Sequence, residues 1–167
     1  MPRARITRTL ATIRENEGKV SEASELMQDL QVETFGSMER PEKVDFILEQ
    51  MRLLKAVGDW DKLAIVAKKI NVKWFAANDD EQHQELKLRY FALMVIYGLH
   101  TDKYLDVCKY LRAVYDTPCI ARDDERWKPV LRNIVYFVVL APFDNEQSDL
   151  LHRIVKDPRL GKLSEET

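Results

Sequence analysis

VDFILEQMRLLKAVGDWDKLAIVAKKINVKW, residues 44–74, carries two apolar-periodic stretches on either side of a single glycine. Val44, Ile47, Leu48, Met51 and Leu54 precede Gly58, and Trp60, Leu63, Ala67, Ile70 and Trp74 follow it. Offsets of three and four line one side of a 3.6-residue helix. A glycine between two such stripes supplies the left-handed residue at which a helix stops. The segment therefore predicts helix, tight turn, helix.

The same arrangement recurs outward in both directions. Gly18 and Gly98 lie 40 residues to either side of Gly58, and a fourth break falls at Ala141-Pro142-Phe143. Before Gly18 stand Ile6, Leu10 and Ile13, and after it Val20, Ala23, Leu26, Met27 and Leu30. The third pair offers Leu86, Tyr90, Leu93, Met94 and Tyr97, then Tyr104, Cys108, Leu111 and Tyr115. The fourth offers Trp127, Val130, Leu131, Ile134 and Val138, then Leu150, Leu151, Ile154 and Val155. Alternation with period two is absent. A repeat near 40 residues predicts paired helices that bury a core against their neighbours. The expected fold is all-α, a right-handed α-solenoid of about four helix-turn-helix, tetratricopeptide-like pairs, with residues 1–160 as one array and 161–167 as a charged tail.

Composition agrees. Among 167 residues there are only 5 Gly and 6 Pro, while charged residues reach 32%. No Asn-Gly or Asp-Gly hairpin dipeptide occurs. Helix starts are expected at Asp79 with Gln82 and at Asp144 with Gln147, where a side-chain oxygen can cap the first turn. Thr101 and Ser37 are expected to cap the helices carrying Tyr104 and Val44, with Pro41 in a first turn. Asp123-Asp124-Glu125 suits the positive end of the helix containing Trp127. Residues 134–141 are apolar all round, which predicts a helix end covered on several sides, by more chain or by a partner.

The function classes narrow by charge and chemistry. Twenty-six basic against 28 acidic residues give a net charge of −2, which argues against bulk polyanion binding. Two cysteines make no disulfide framework, so a reducing, intracellular setting is expected. The longest apolar run is far shorter than the ~20 residues of a membrane-spanning helix. His83, His100 and His152 lie on separate segments without zinc spacing, and no Cys-x-x-Cys, nucleophile elbow or phosphate-binding glycine loop is present. No catalytic, cofactor-binding or metal-ligating residue is expected, although an enzyme using Cys119 or His100 is a rival reading. Arg3, Arg5, Arg8 and Arg14 form the one local charge bias and are the candidate partner-binding residues. A nucleic-acid module using those arginines is a second rival. Trp74-Phe75, after Lys68-Lys69, reads either as packing at a helix end or as a partner-binding aromatic pair.

Five blocks carry a family resemblance: LATI (10–13), QVETFGSM (31–38), FILEQMRL (46–53), YDTPCI (115–120) and LAPFDNEQSDL (140–150). In this order, from about Arg3 to about Leu160, they resemble the lid subunits of the 26S proteasome regulatory particle that belong to the PCI family. Residues 76–83 match poorly, as a loop would. The resemblance implies a tetratricopeptide-like array followed by a winged-helix module that this chain does not include. It also implies a non-catalytic role in ubiquitin-dependent protein degradation, in cytoplasm and nucleus, without cofactors. The implied partners are other lid subunits including the deubiquitinase, the ATPase ring and the core particle; the paralogous signalosome shares the architecture. No membrane or nucleic-acid partner is implied.

Overall fold

A computed structural model of the chain describes residues Pro2–Ser164. The fold is all-α, 78% helical, with no strand among the described residues. In order come α1 (Pro2–Asn16), α2 (Val20–Gln28), α3 (Arg40–Val57), α4 (Trp60–Ala67), α5 (Glu81–His100), α6 (Tyr104–Tyr115), α7 (Pro118–Ala121), α8 (Asp124–Leu140), α9 (Asn145–Val155) and α10 (Leu160–Ser164). Short 3-10 turns at Val32–Thr34 and Val72–Ala76 join α2 to α3 and α4 to α5. The chain divides into two compact units, Met1–Arg89 and Tyr90–Thr167, and the division falls inside α5. The start of the expected charged tail is helical as α10; residues 165–167 lie outside the described part.

Three of the tight turns share one construction. Gly18 (φ 79°) and Gly58 (φ 77°) are left-handed, as expected of helix stops. The Gly18 and Lys19 amides donate to the carbonyls of Glu15 and Arg14, and those of Gly58 and Asp59 to Lys55 and Leu54. Four otherwise unpaired helix-end carbonyls are thereby satisfied. The third turn corrects the expectation: α5 runs past Gly98 to His100, and the left-handed residue is Asp102 (φ 55°). Its amide donates to Leu99 and that of Lys103 to Gly98, so the bonding pattern is the same. Asp tolerates the left-handed region better than most residues. Gly98 serves packing, because a Cβ built there would stand 2.7 Å from Val107 Cγ2 of α6. The fourth break does end α8, on extended Ala141, as a residue before proline prefers.

Unit Met1–Arg89 is built around α3. Val44, Phe46, Ile47, Leu48, Met51, Leu53 and Leu54 are all buried, so this helix is covered on nearly every side. Ala23 and Met27 of α2, and Leu63 and Val66 of α4, pack into the same core. Gln50, 1% exposed, donates its amide nitrogen to the carbonyls of Met27 (2.7 Å) and Leu30 (2.8 Å), tying off the end of α2. The expected inner face of α1 is reversed. Ala4 and Ala11 are buried, whereas Ile6, Leu10 and Ile13 point outward. Small residues let α1 lie close to its neighbours, and its polar side chains on that side reach across to α3.

In unit Tyr90–Thr167, α6 packs along α8. Val107, Cys108 and Tyr115 meet Trp127, Leu131, Ile134 and Val138, all buried. Arg159 lies over the rings of both Tyr115 (5.7 Å) and Trp127 (5.2 Å). Gln147 repeats the device of Gln50, donating to Val138 O (2.9 Å) near the end of α8. Of residues 134–141, Ile134, Val138 and Ala141 are buried within this unit, while Tyr136, Val139 and Leu140 are exposed, the open apolar face on which further chain or a partner was expected to pack. Val155 also points outward.

Capping is legible at some helix starts. Asp144 accepts from Gln147 N (2.7 Å) and Asp123 from Glu125 N (3.0 Å), as acids at those starts should. Pro41 does stand in the first turn of α3. The cap of α5 is Asp80, which accepts from His83 N (2.7 Å), one residue later than Asp79. Neither Ser37 nor Thr101 caps. The N-cap positions are Glu39 and Lys103, and the Thr101 hydroxyl donates to Tyr97 O instead (3.0 Å).

Gly98→Ala is expected to destabilise the chain by about 1–3 kcal/mol in urea denaturation, as overpacking does. Adding Val107→Ala should recover part of that loss, a non-additivity that a purely conformational effect of Ala in a helix would not produce. Gln50→Leu removes the side-chain donor to the Met27 and Leu30 carbonyls, the first of which keeps the Leu30 amide, and should cost about 1–3 kcal/mol by the same measurement.

Candidate protein-binding surface

Three of the four amino-terminal arginines are ion-paired within the chain. Arg5 Nε meets Glu42 Oε1 at 3.1 Å, and Arg8 pairs with Asp45 while its guanidinium lies 5.1 Å from the Phe46 ring. Further along α1, Glu15 takes both its oxygens to Arg52 (2.8 and 2.6 Å), which also holds Glu49. Each of these α1 to α3 pairs joins residues 37 apart. A constant positive offset means that the two helices run parallel in fixed register. The stops of α1 and α3 are 40 apart, so α3 is displaced by three residues, or about 4.5 Å, along the common axis.

Asp45 is the hinge of this network. Its second oxygen accepts from Arg89 Nη1 of α5 at 2.6 Å. Partial burial pushes the Asp45 carboxyl up, but hydrogen bonds from Arg8 and Arg89 outweigh it and hold the group below the usual carboxylate range. The Arg52 bond likewise holds Glu15 down. Arg14 bonds Glu17 (2.9 Å) and approaches Glu22 (3.6 Å). Of the four candidate arginines, only Arg3 forms no ion pair with a described residue; it is exposed at the start of α1. Exposed pairs of this kind contribute little stability each. Their effect here is to set register.

The structure leaves two apolar helix faces in solvent. On α1, Ile6 is 66% exposed and Ile13 48%, with Leu10 between them and Arg3 one turn before. On α8, Tyr136, Val139 and Leu140 lead to Phe143, which is 85% exposed. Apolar stripes of this density, one of them with aromatic anchors, are characteristic of protein contacts. The sequence marked the α1 stripe by its periodicity and residues 134–141 as a run apolar all round. It carried no information on whether a neighbour covers them.

Cys108 and His83 are enclosed by the fold. Cys108 is buried beside Ile134 O (3.6 Å), and burial pushes its thiol up to about 12, far from a thiolate at neutral pH. His83 is buried, bonded to Asp80 (2.8 Å) and tilted against the Trp74 ring, centroids 4.2 Å apart. His152 Nδ1 meets Ser148 O at 2.8 Å, His100 is exposed at the end of α5, and Cys119 is half-buried in α7. Among the described residues no three His, Cys, Asp or Glu side chains come together as a metal site. No described helix is long and apolar enough to cross a membrane.

Comparison with known proteins places this geometry in a family. The family model described as PSMD12/CSN4, N-terminal, matches residues 1–123. The fission yeast (Schizosaccharomyces pombe) 26S proteasome regulatory subunit rpn501 is 48% identical over 161 residues, 96% of this chain and 36% of that protein. The Saccharomyces cerevisiae 26S proteasome regulatory subunit RPN5 is 46% identical over the same share of each chain. The Arabidopsis thaliana 26S proteasome non-ATPase regulatory subunit 12 homolog A is 38% identical over 181 residues, 96% of this chain and 41% of its own length. The chain thus spans little more than a third of the curated relatives it matches. With helix pairs, motif blocks and a matched model over most of its length, the chain belongs to the PSMD12/CSN4 N-terminal family.

Proposed function

We propose that the chain is a non-catalytic scaffold segment of the regulatory-particle lid of the 26S proteasome, acting in ubiquitin-dependent protein degradation in cytoplasm and nucleus. The observation that carries this reading is similarity over nearly the whole chain to proteins named as 26S proteasome regulatory subunits. The two outward apolar faces support it, because such faces hold partners and do not transform substrates. The partners are other lid subunits, the deubiquitinase among them, together with the ATPase ring and the core particle. Of the four arginines, Arg3 is the one left available to such a partner, at the edge of the α1 stripe.

Affinity purification of the tagged protein from its own cells, followed by mass spectrometry, tests the reading. Proteasome lid subunits should dominate the recovered set. The doubly substituted Val139→Glu/Phe143→Glu chain should lose about tenfold or more of that recovery, as loss of buried anchors does, with an unchanged helical circular-dichroism spectrum. Recovery of signalosome subunits with their cullin-modifier hydrolase would transfer the chain to the paralogous complex. Unrelated complexes would overturn the scaffold reading.

A further inference from the structure

At one end of unit Met1–Arg89, the 3-10 turn Val32–Thr34, the start of α3, the end of α4 and the 3-10 turn Val72–Ala76 enclose a pocket of about 300 Å³. Its floor is apolar: Ile47 and Ile70 are buried there, and half-exposed Trp74 forms a wall. Its rim is basic, with Arg40, Lys43 and Lys69 against one carboxylate, Glu33. Lys69 and Glu33 neutralise each other across 2.7 Å. Burial pushes the Glu33 carboxyl up, yet the Lys69 bond and a backbone bond prevail and keep it charged.

Arg40 and Lys43 have no such counterpart. Neither forms an ion pair or side-chain hydrogen bond with a described residue, and both stand in the first turn of α3, where the helix dipole is positive and cations are disfavoured. Glu39, at the N-cap, offers no side-chain cap that would offset this. In a chain whose net charge is −2, two unneutralised cations beside an apolar hollow depart from local preference, as side chains kept for recognition do. A guanidinium fork suits a carboxylate, a lysine adds a point charge, and indole and isoleucine suit a neighbouring apolar side chain. A bare phosphate leaves the apolar floor unused, and a nucleic-acid strand needs a longer run of cations than a rim that includes Glu33.

We propose that this pocket binds an acidic peptide segment of a partner protein, its carboxylate on Arg40 and Lys43 and its adjoining apolar side chain against Trp74 and Ile47. The assignment goes beyond the proteasome reading and is tested apart from it. Co-purification can fail while the pocket binds, and the pocket can fail in a chain that co-purifies.

The test is an amide-nitrogen NMR titration of the whole chain with a blocked Asp-Glu-Leu-Phe-Glu peptide. Saturable shifts are expected at Lys43, Lys69 and the Trp74 indole N–H, weakening as salt is raised. Arg40→Glu/Lys43→Glu should reduce affinity about tenfold or more, the loss of charge-assisted hydrogen bonds. If that chain loses its native spectrum, Arg40→Gln/Lys43→Gln replaces it, with the same direction expected. Undiminished affinity in a folded variant would overturn the proposal. So would equal binding of the peptide with Asn and Gln in place of its acids, or of one with Ala in place of Leu and Phe. Shifts confined to other surfaces, or none at all, would overturn it as well.

Discussion

Each of the first three helix pairs turns on one left-handed residue, and the packing of the pairs depends on that reversal. At Gly18, Gly58 and Asp102 two consecutive amides fold back onto the last turn of the helix just ended. The next helix is thereby sent back along its predecessor after only a few residues, so the apolar stripes of the two face each other. Without the reversal, α3 could not be covered on nearly all sides, and α5 and α6 could not approach closely enough to need a glycine. The backbone geometry is local, but its consequence is the shared core.

A second constraint works sideways. The polar pairs from α1 to α3, all 37 residues apart, add little to stability individually because they are partly solvated. They discriminate between registers, since a slip of one residue would separate every charge from its partner at once. Asp45, held by Arg8 and Arg89, extends this into the first part of α5. Most of the basic bias at the amino end is therefore structural, with Arg5 and Arg8 paired to α3 and Arg14 to Glu17 and Glu22. Gln50 and Gln147 play a related part, since each donates a side-chain amide to carbonyls at the end of a helix.

Much of the site chemistry was invisible in the sequence for a single reason. Ion pairing and exposure are relations between residues far apart in the chain. Arg5 and Arg8 read as a free basic stripe until Glu42 and Asp45 were brought beside them. Ile6, Leu10 and Ile13 read as an inner face because periodicity says only that they share a side. Trp74 admitted both of the readings given to it, and the structure divides them, with Phe75 in the core and Trp74 on the wall of a pocket.

What the sequence determined by itself is what local stereochemistry controls: an all-α chain, the places of its four main helix pairs, the stops at Gly18 and Gly58, and the acids that cap α8 and α9. Helical spacing, left-handed glycine and side-chain caps act within a few residues, so they can be read along the chain. Only the tertiary structure decided that Gly98 is a packing residue and Asp102 the stop, that α1 turns its alanines inward, and that Arg5 and Arg8 are spent on α3. Those outcomes depend on distances across stacked helices, which no local rule contains.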